Sequence, residues 1–434
     1  MKTFLKLFLI TLLCLTLVTV FVACGEDEHT HTFSEDWSQD ETHHWHDASC
    51  DHDVLSGKEE HDFDGGKVTT APTCTAEGTK TFTCESCGYT KTEAVATLAH
   101  TYQNQIYTYT VAEGKLYREA CCDACGGAPT AKTELANAVI VNTAAAAQEA
   151  LDTAAEGTVI YLDGDVDYGT LYLRTNSTDR KVNVGNWAGG NSMYYRSIKN
   201  LTVIGSKDAT LSELRIEAGT YTPTGNQHSN SATAPYLRSF ISIEGLAFYA
   251  VTFTGEATNV VSVTNQVFVD GLVFNGCSMT DNGDSRLVYR SGKDTSYTDT
   301  ITGEPLMTTG LKNVSVLNCN VTGAYMIIEL RATENVTVKN NTFANIKGQM
   351  ILLPTDGGSY TGSITVTGNT VSGLSERFLR VNGSSATITV TGNTVSGYDG
   401  ADTDIVKITK QSGTTTVENN DWGNNDLTVT VTAE

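Results

Sequence analysis

Ten residues of this chain occur twice in succession. Ile364–Gly373 reads Ile-Thr-Val-Thr-Gly-Asn-Thr-Val-Ser-Gly, and Ile388–Gly397 repeats it letter for letter. Weaker copies begin at Leu272 (Leu-Val-Phe-Asn-Gly-Cys-Ser-Met), Val314 (Val-Ser-Val-Leu-Asn-Cys-Asn-Val), Val336 (Val-Thr-Val-Lys-Asn-Asn-Thr-Phe) and Thr415 (Thr-Thr-Val-Glu-Asn-Asn-Asp-Trp). From Val336 onward the starts are 28, 24 and 27 residues apart. Alternation of apolar and polar residues inside each copy is the period of a strand, and a recurring unit of this length means stacked coils. One such coil cannot bury its apolar side alone; its neighbours complete it. The 39 glycines and 6 prolines suit many short strands joined by tight turns. A leucine-rich solenoid is excluded, because its Leu and Asn spacing is absent.

Aligning the copies puts Cys277, Cys319, Asn341, Asn369, Asn393 and Asn420 at one position. Stacked Asn side chains can hydrogen-bond up a ladder, and Asn tolerates the left-handed backbone of sharp turns. These residues therefore read as scaffold. Cys277 and Cys319 are either small buried fillers or a disulfide between coils. At about 4.8 Å of rise per coil, nine or ten coils give a rod about 45 Å long.

The repeats begin after a helix-forming stretch, Ala144–Ala155, followed by Glu156-Gly157 and the strand-like Thr158–Leu162. This start resembles the cap and first coil of pectate-lyase-like β-helices. In them a helix lies across the open end, covering apolar core and unpaired strand edges. The expected fold is all-β: a right-handed parallel β-helix over 145–434 with an N-terminal capping helix. A linker over 131–144 and a small Cys/His-rich β module over 24–130 precede it.

The first 23 residues carry Lys2 and Lys6, then the apolar run Leu7–Val22. This is the layout of an export signal; a retained spanning helix is the alternative. Phe21-Val22-Ala23-Cys24 resembles the bacterial lipobox, with Phe where Leu is usual. That resemblance implies cleavage before Cys24 and lipidation of its thiol. The expected location is the extracellular face of the bacterial cell membrane, reached through the lipid anchor. The formal charge of −22 makes nucleic acid a poor partner. A monomer is expected.

Eight of the nine histidines lie before residue 101. His29, His31, Trp37, His43-His44-Trp45-His46, Pro72-Thr73-Cys74 and Cys84-Glu85-Ser86-Cys87-Gly88-Tyr89 resemble, over about residues 29–102, a repeat found ahead of surface domains in anaerobic Gram-positive bacteria. Two Cys-x-x-Cys-Gly turns, Cys84/Cys87 and Cys122/Cys125, carry the spacing of zinc knuckles, and four thiolates close a tetrahedral structural site. The expectation is one zinc held by Cys84, Cys87, Cys122 and Cys125. A second candidate set is His46, Cys50, His52 and His61, with Cys74. Disulfides are the alternative in an exported protein.

Functional expectations for the β-helix rest on one outward face. Alternation sends Glu329, Arg331 and Arg380 outward, and with Tyr289, Arg290 and Lys407 at comparable places they make the expected ligand-binding strip. Guanidinium groups there would suit a uronate-bearing polysaccharide or host glycan; ion pairing between coils is the plain alternative. The motifs of polygalacturonases (Asn-Thr-Asp, Asp-Asp, Gly-His-Gly, Arg-Ile-Lys) are absent. A lyase would need acidic ligands around calcium and an Arg base; Asp281, Asp284 and Arg286, or Arg331, are the nearest approach. The loop that holds Asp281, Asp284 and Arg286, between Cys277 and Cys319, is the longest late insertion, and function is often grafted on such loops. The expected function is polysaccharide binding or adhesion at the cell surface, with a polysaccharide lyase or hydrolase as the alternative.

Overall fold

The computed structural model describes residues 30–433, apart from 176–177, 183–192, 218–238, 264–265, 282, 291–293, 301 and 355–359. Cys24, the apolar leader and His228 lie outside the described residues. The chain divides into two compact units, one ending at Ala99 and one running from His100 to Glu434.

The first unit contains two small antiparallel sheets. Ser38–Gln39, His43–Asp47 and Leu55–Glu60 form one; Lys67–Thr70, Gly78–Thr83 and Thr90–Val95 form the other. Its described residues bury almost no apolar side chain.

The second unit opens with another antiparallel sheet, Tyr107–Ala112, Lys115–Ala120 and Thr133–Glu134. Leu116 of this sheet is buried with Tyr161 and Ile204. Asn275 and Asn318 donate side-chain N–H groups to the carbonyls of Gln105 and Asn104, at 3.2 and 2.9 Å. The first parallel rung falls inside the segment expected to be a linker: Ala138–Val141 pairs with Val159–Leu162.

The remainder is a right-handed parallel β-helix. One long face climbs through Met193–Gly205, Ser239–Tyr249, Val267–Asn275, Gly310–Leu317, Thr333–Lys339, Tyr360–Thr367, Thr387–Thr391 and Thr415–Glu418. A short second face runs from Thr210–Leu211 to Thr394–Tyr398. A third carries Asn259–Val263, Arg286–Arg290, Met326–Leu330, Ile351–Leu353, Leu379–Ser384, Asp404–Gln411 and Thr428–Ala433. Register stacks like on like: Leu246, Leu272, Val314, Val336, Ile364 and Ile388 form one inward column. Phe248 and Phe274 stack at 5.0 Å in the next.

The Asn column is a ladder. Asn341, Asn369 and Asn393 each donate Nδ2–H to the Oδ1 of the residue one coil on, at 2.8, 2.9 and 2.8 Å, ending on Asn420. Cys319 continues the column through its backbone N–H, which donates to Asn341 at 2.8 Å. Cys277 and Cys319 are buried free thiols, so no disulfide joins them. The left-handed backbone sits one residue earlier than alignment suggests. Asn318, Asn340 and Asn419 have φ between 53° and 57°, and Gly276, Gly368 and Gly392 have φ of 65°. Only Gly and Asn adopt that conformation at little cost.

The capping helix spans Ala144–Asp152, with Thr143 as N-cap accepting the N–H of Ala146. Ala147, Ala150 and Leu151 enter the same core as the coils. Arg196, 5% exposed, donates to the carbonyls of Leu151 and Asp152 at 2.6 and 3.2 Å. It thereby adds donors at the helix end, where the Leu151 carbonyl also accepts the N–H of Ala154 at 3.3 Å. Among the described residues no helix is long and apolar enough to cross a membrane.

Candidate functional site

The third face carries the expected charged residues. Tyr289, Glu329, Leu352, Arg380 and Lys407 are successive register partners, so four of the strip residues form one outward column. Their charges, however, are largely engaged within the coil stack. Arg286 Nε donates to Glu329 Oε2 at 2.6 Å, and its guanidinium lies 4.9 Å from the ring centre of Tyr325 and 5.3 Å from that of Tyr289. Lys407 pairs with Asp404 at 3.1 Å.

Two members of the strip depart from expectation. Arg290 is buried, not outward: only 2% of it is exposed. It is the register partner of Leu330 on the inward column, and its long side chain bends to donate Nη1–H to the carbonyl of Ala332 at 2.6 Å and to pair with Asp294. Arg331 lies just past the end of its strand, where alternation no longer fixes direction, and is half-buried. The calcium-and-base arrangement is not formed by Asp281, Asp284 and Arg286. Asp281 Oδ2 accepts the backbone N–H groups of Asp284 and Ser285 at 3.2 and 2.8 Å, closing its own turn, while Arg286 is turned to Glu329.

The long insertion forms a different feature. Ser296–Thr298 and Pro305–Thr308 make an antiparallel hairpin. Tyr297 packs on Phe240 with ring centres 4.6 Å apart, and Leu306 and Met307 pack into the same cluster. Beside the hairpin lies a cleft of about 410 Å³, lined among others by Tyr195, Ser242, Glu244, Phe268, Asp294 and Lys312. Ser242 and Phe268 are register partners on the long face, as are Glu244 and Asp270, then Asp270 and Lys312. Glu244 pairs with Lys199 at 3.0 Å, Lys312 with Glu334 at 2.8 Å, and Asp294 with Arg290. The cleft thus has an aromatic and polar floor with ion-paired edges. Sequence reasoning missed its floor. The available signal was Phe268, a large apolar residue between Val267 and Val269, whose inward alternation turns it outward.

The cysteines and histidines gather into clusters that differ from those expected. In the first unit, His44, His61, Cys84 and Cys87 each offer a ligand atom within 4.8 Å of the others. In the second unit, Cys122 and Cys125 have His100 within the same limit. Each knuckle therefore has its own histidine within its unit. The other expected set also divides: Cys50 and His52 join His31, His61 joins the Cys84 knuckle, and His46 stacks on Trp37 at 3.9 Å. Burial pushes the Cys84 thiol up, but N–H groups of Cys87 and Ser86 and the His61 ring outweigh it and bring it down to about 6. The His61 imidazole is raised, first by its hydrogen bond to the Asp40 carbonyl. His100 is the main cause of lowering Cys122 to about 5.

Residues 250–422 match the sequence family described as "Right handed beta helix region". No curated protein sequence matches the chain. Among solved structures, it is similar to an endo-xylogalacturonan hydrolase from Aspergillus tubingensis, with 12% identity, 68% of this chain and 99% of that one covered, and a TM-score of 0.28. It is also similar to an alginate lyase from Paenibacillus sp. str. FPU-7, with 13% identity, 65% and 99% coverage, and a TM-score of 0.27. Neither likeness carries an argument about chemistry.

Proposed function

We propose that this is a lipid-anchored extracellular protein whose β-helix binds polysaccharide in the cleft beside the hairpin. The observation behind this reading is the cleft floor, where Tyr195 and Phe268 are half-buried next to Ser242. Ligand pockets combine apolar surface with a few placed polar groups, and an aromatic face suits the C–H face of a sugar ring. Glu244, Asp294 and Lys312 are each paired with a neighbour. The cleft thus has no excess of either charge, which favours a neutral glycan over the polyuronate suggested by a basic strip. Cys24, when lipidated, would tether the protein to the outer face of the membrane.

The test is a polysaccharide array, read for retention and for released sugar. Neutral glycans should be retained, and Phe268→Ala and Tyr195→Ala should each weaken binding by about tenfold, the equivalent of 1.4 kcal/mol. Arg380→Ala should leave binding unchanged. No retained glycan, or loss through Arg380→Ala alone, would overturn the cleft reading. A hydrolase is the second reading, because Glu244 and Asp294 put two carboxylates in one cleft. Released sugar that disappears in Glu244→Gln would establish it. For the anchor, Cys24→Ser should move the protein from the membrane fraction to the medium.

A further inference from the structure

We infer that His44, His61, Cys84 and Cys87 form one closed, tetrahedral zinc site that holds the N-terminal unit together. The inference is independent of any glycan binding by the second unit.

The four residues come from separated parts of that unit. His44 lies in the strand His43–Asp47, and His61 directly follows Leu55–Glu60. Cys84 directly follows Gly78–Thr83 in the other sheet, and Cys87 sits in the turn beyond. One ion would therefore tie both sheets to each other. The unit has little else to do so. Between residues 30 and 99, Cys84 is the one buried apolar residue described and His44 the one buried polar one. Chains this small, without a hydrophobic core, usually need a metal or disulfides to fold, and Cys84 and Cys87 are free thiols.

The geometry fits zinc. Cys84 Sγ is 3.9 Å from His44 Nδ1, and Cys87 Sγ is 3.4 Å from His61 Nδ1. Bond lengths of about 2.3 Å to sulfur and 2.0–2.1 Å to nitrogen give tetrahedral edges of about that size. Two imidazoles with two thiolates in a tetrahedron select zinc. The surroundings also orient the ligands. The other ring nitrogen of His61, Nε2, is 2.9 Å from the carbonyl of Asp40, the outer-shell contact that fixes the tautomer of a ligating histidine. His61 stacks on Tyr89 at 4.6 Å, and Trp37 meets His44 edge-on at 4.4 Å. The N–H of Tyr89 points at Cys87 Sγ at 3.4 Å, and Gly88 between them has φ of 75°. With four protein ligands, no position remains for water, so the role is structural.

The test measures zinc per chain in the full-length protein. Cys84→Ser and His61→Ala should each lose one equivalent relative to the parent. His46→Ala, on the same strand as His44 but outside the cluster, should lose none. Because Cys84→Ser could simply unfold the unit, His61→Cys serves as the second variant. It keeps four ligands, so it should retain metal, and after cobalt substitution its thiolate-to-cobalt absorption should intensify. Chelation should expose residues 30–99 to protease while the β-helix stays intact. Unchanged zinc in Cys84→Ser, no metal in the parent, or a Cys84–Cys87 disulfide in zinc-supplied protein would overturn the inference.

Discussion

Replacing Asn369 by Ala tests the ladder at its most enclosed rung. Asn369 is 1% exposed. Its Oδ1 accepts the backbone N–H and the Nδ2–H of Asn341, at 3.0 and 2.8 Å; its Nδ2 donates to the carbonyl of Val338 and to Asn393 Oδ1, both at 2.9 Å. Alanine removes all four bonds, but the damage is uneven. Asn393 Oδ1 keeps the backbone N–H of residue 369, and Asn341 Nδ2 keeps the carbonyl of Val316. The group stranded without these partners is the N–H of Asn341, while the carbonyl of Val338 loses one donor but stays in the strand ladder. A buried polar group left unsatisfied costs about 1–3 kcal/mol and a lost hydrogen bond about 1 kcal/mol, so the loss should be about 2–4 kcal/mol. Asn420 is half-buried at the end of the ladder, where water can replace it at the Asn393 N–H and the Val390 carbonyl, so Asn420→Ala should cost about 1 kcal/mol. Urea denaturation followed by circular dichroism compares the two, and native-state hydrogen exchange at the amides of Val338 and Val366 localises the effect. Solenoids need not unfold in one step, so the exchange data are the sharper readout. A loss below about 1 kcal/mol for Asn369→Ala, or equal losses at both positions, would refute the reasoning.

Further predictions follow from the same contacts. Arg196→Met keeps the apolar stem but removes the donors to the carbonyls of Leu151, Asp152 and Arg174, of which Leu151 keeps the N–H of Ala154; stability should fall by about 1–3 kcal/mol, and an unchanged melting temperature would show that the cap needs no such donor. Arg286→Met and Glu329→Gln should each destabilise by about 1–3 kcal/mol, with the double variant costing less than the sum, because each single change leaves a mostly buried charge; additivity in a double-mutant cycle would deny the coupling. Burial pushes the Cys277 thiol well above its ordinary range. Cys277 and Cys319 should therefore resist alkylation until the coils open, and modification at the rate of an exposed thiol would contradict their place in the core.

Much of the scaffold was legible from residue order alone. The spacing between repeats reappears as the spacing between bonded Asn residues, and alternation placed Tyr289, Glu329, Arg380 and Lys407 in one column. Both are local properties: each coil repeats the same turn and the same strand period, so one copy predicts the next. Arg290, adjacent to the outward Tyr289, falls on the inward column opposite Leu330, and only the structure shows that its charge is met there by the Ala332 carbonyl and Asp294. The cleft escaped this logic, since the hairpin of residues 296–308 finds its place only by packing Tyr297 on Phe240.

The knuckles show the division most clearly. Two cysteines separated by two residues and followed by Gly are set to face one ion by the geometry of a single turn, and the sequence by itself determined that much. It could not determine which other ligands meet them. His44 is 40 positions from Cys84, and His61 is 26 from Cys87. Those encounters depend on how strands pair and where they end, so only the tertiary structure decided them.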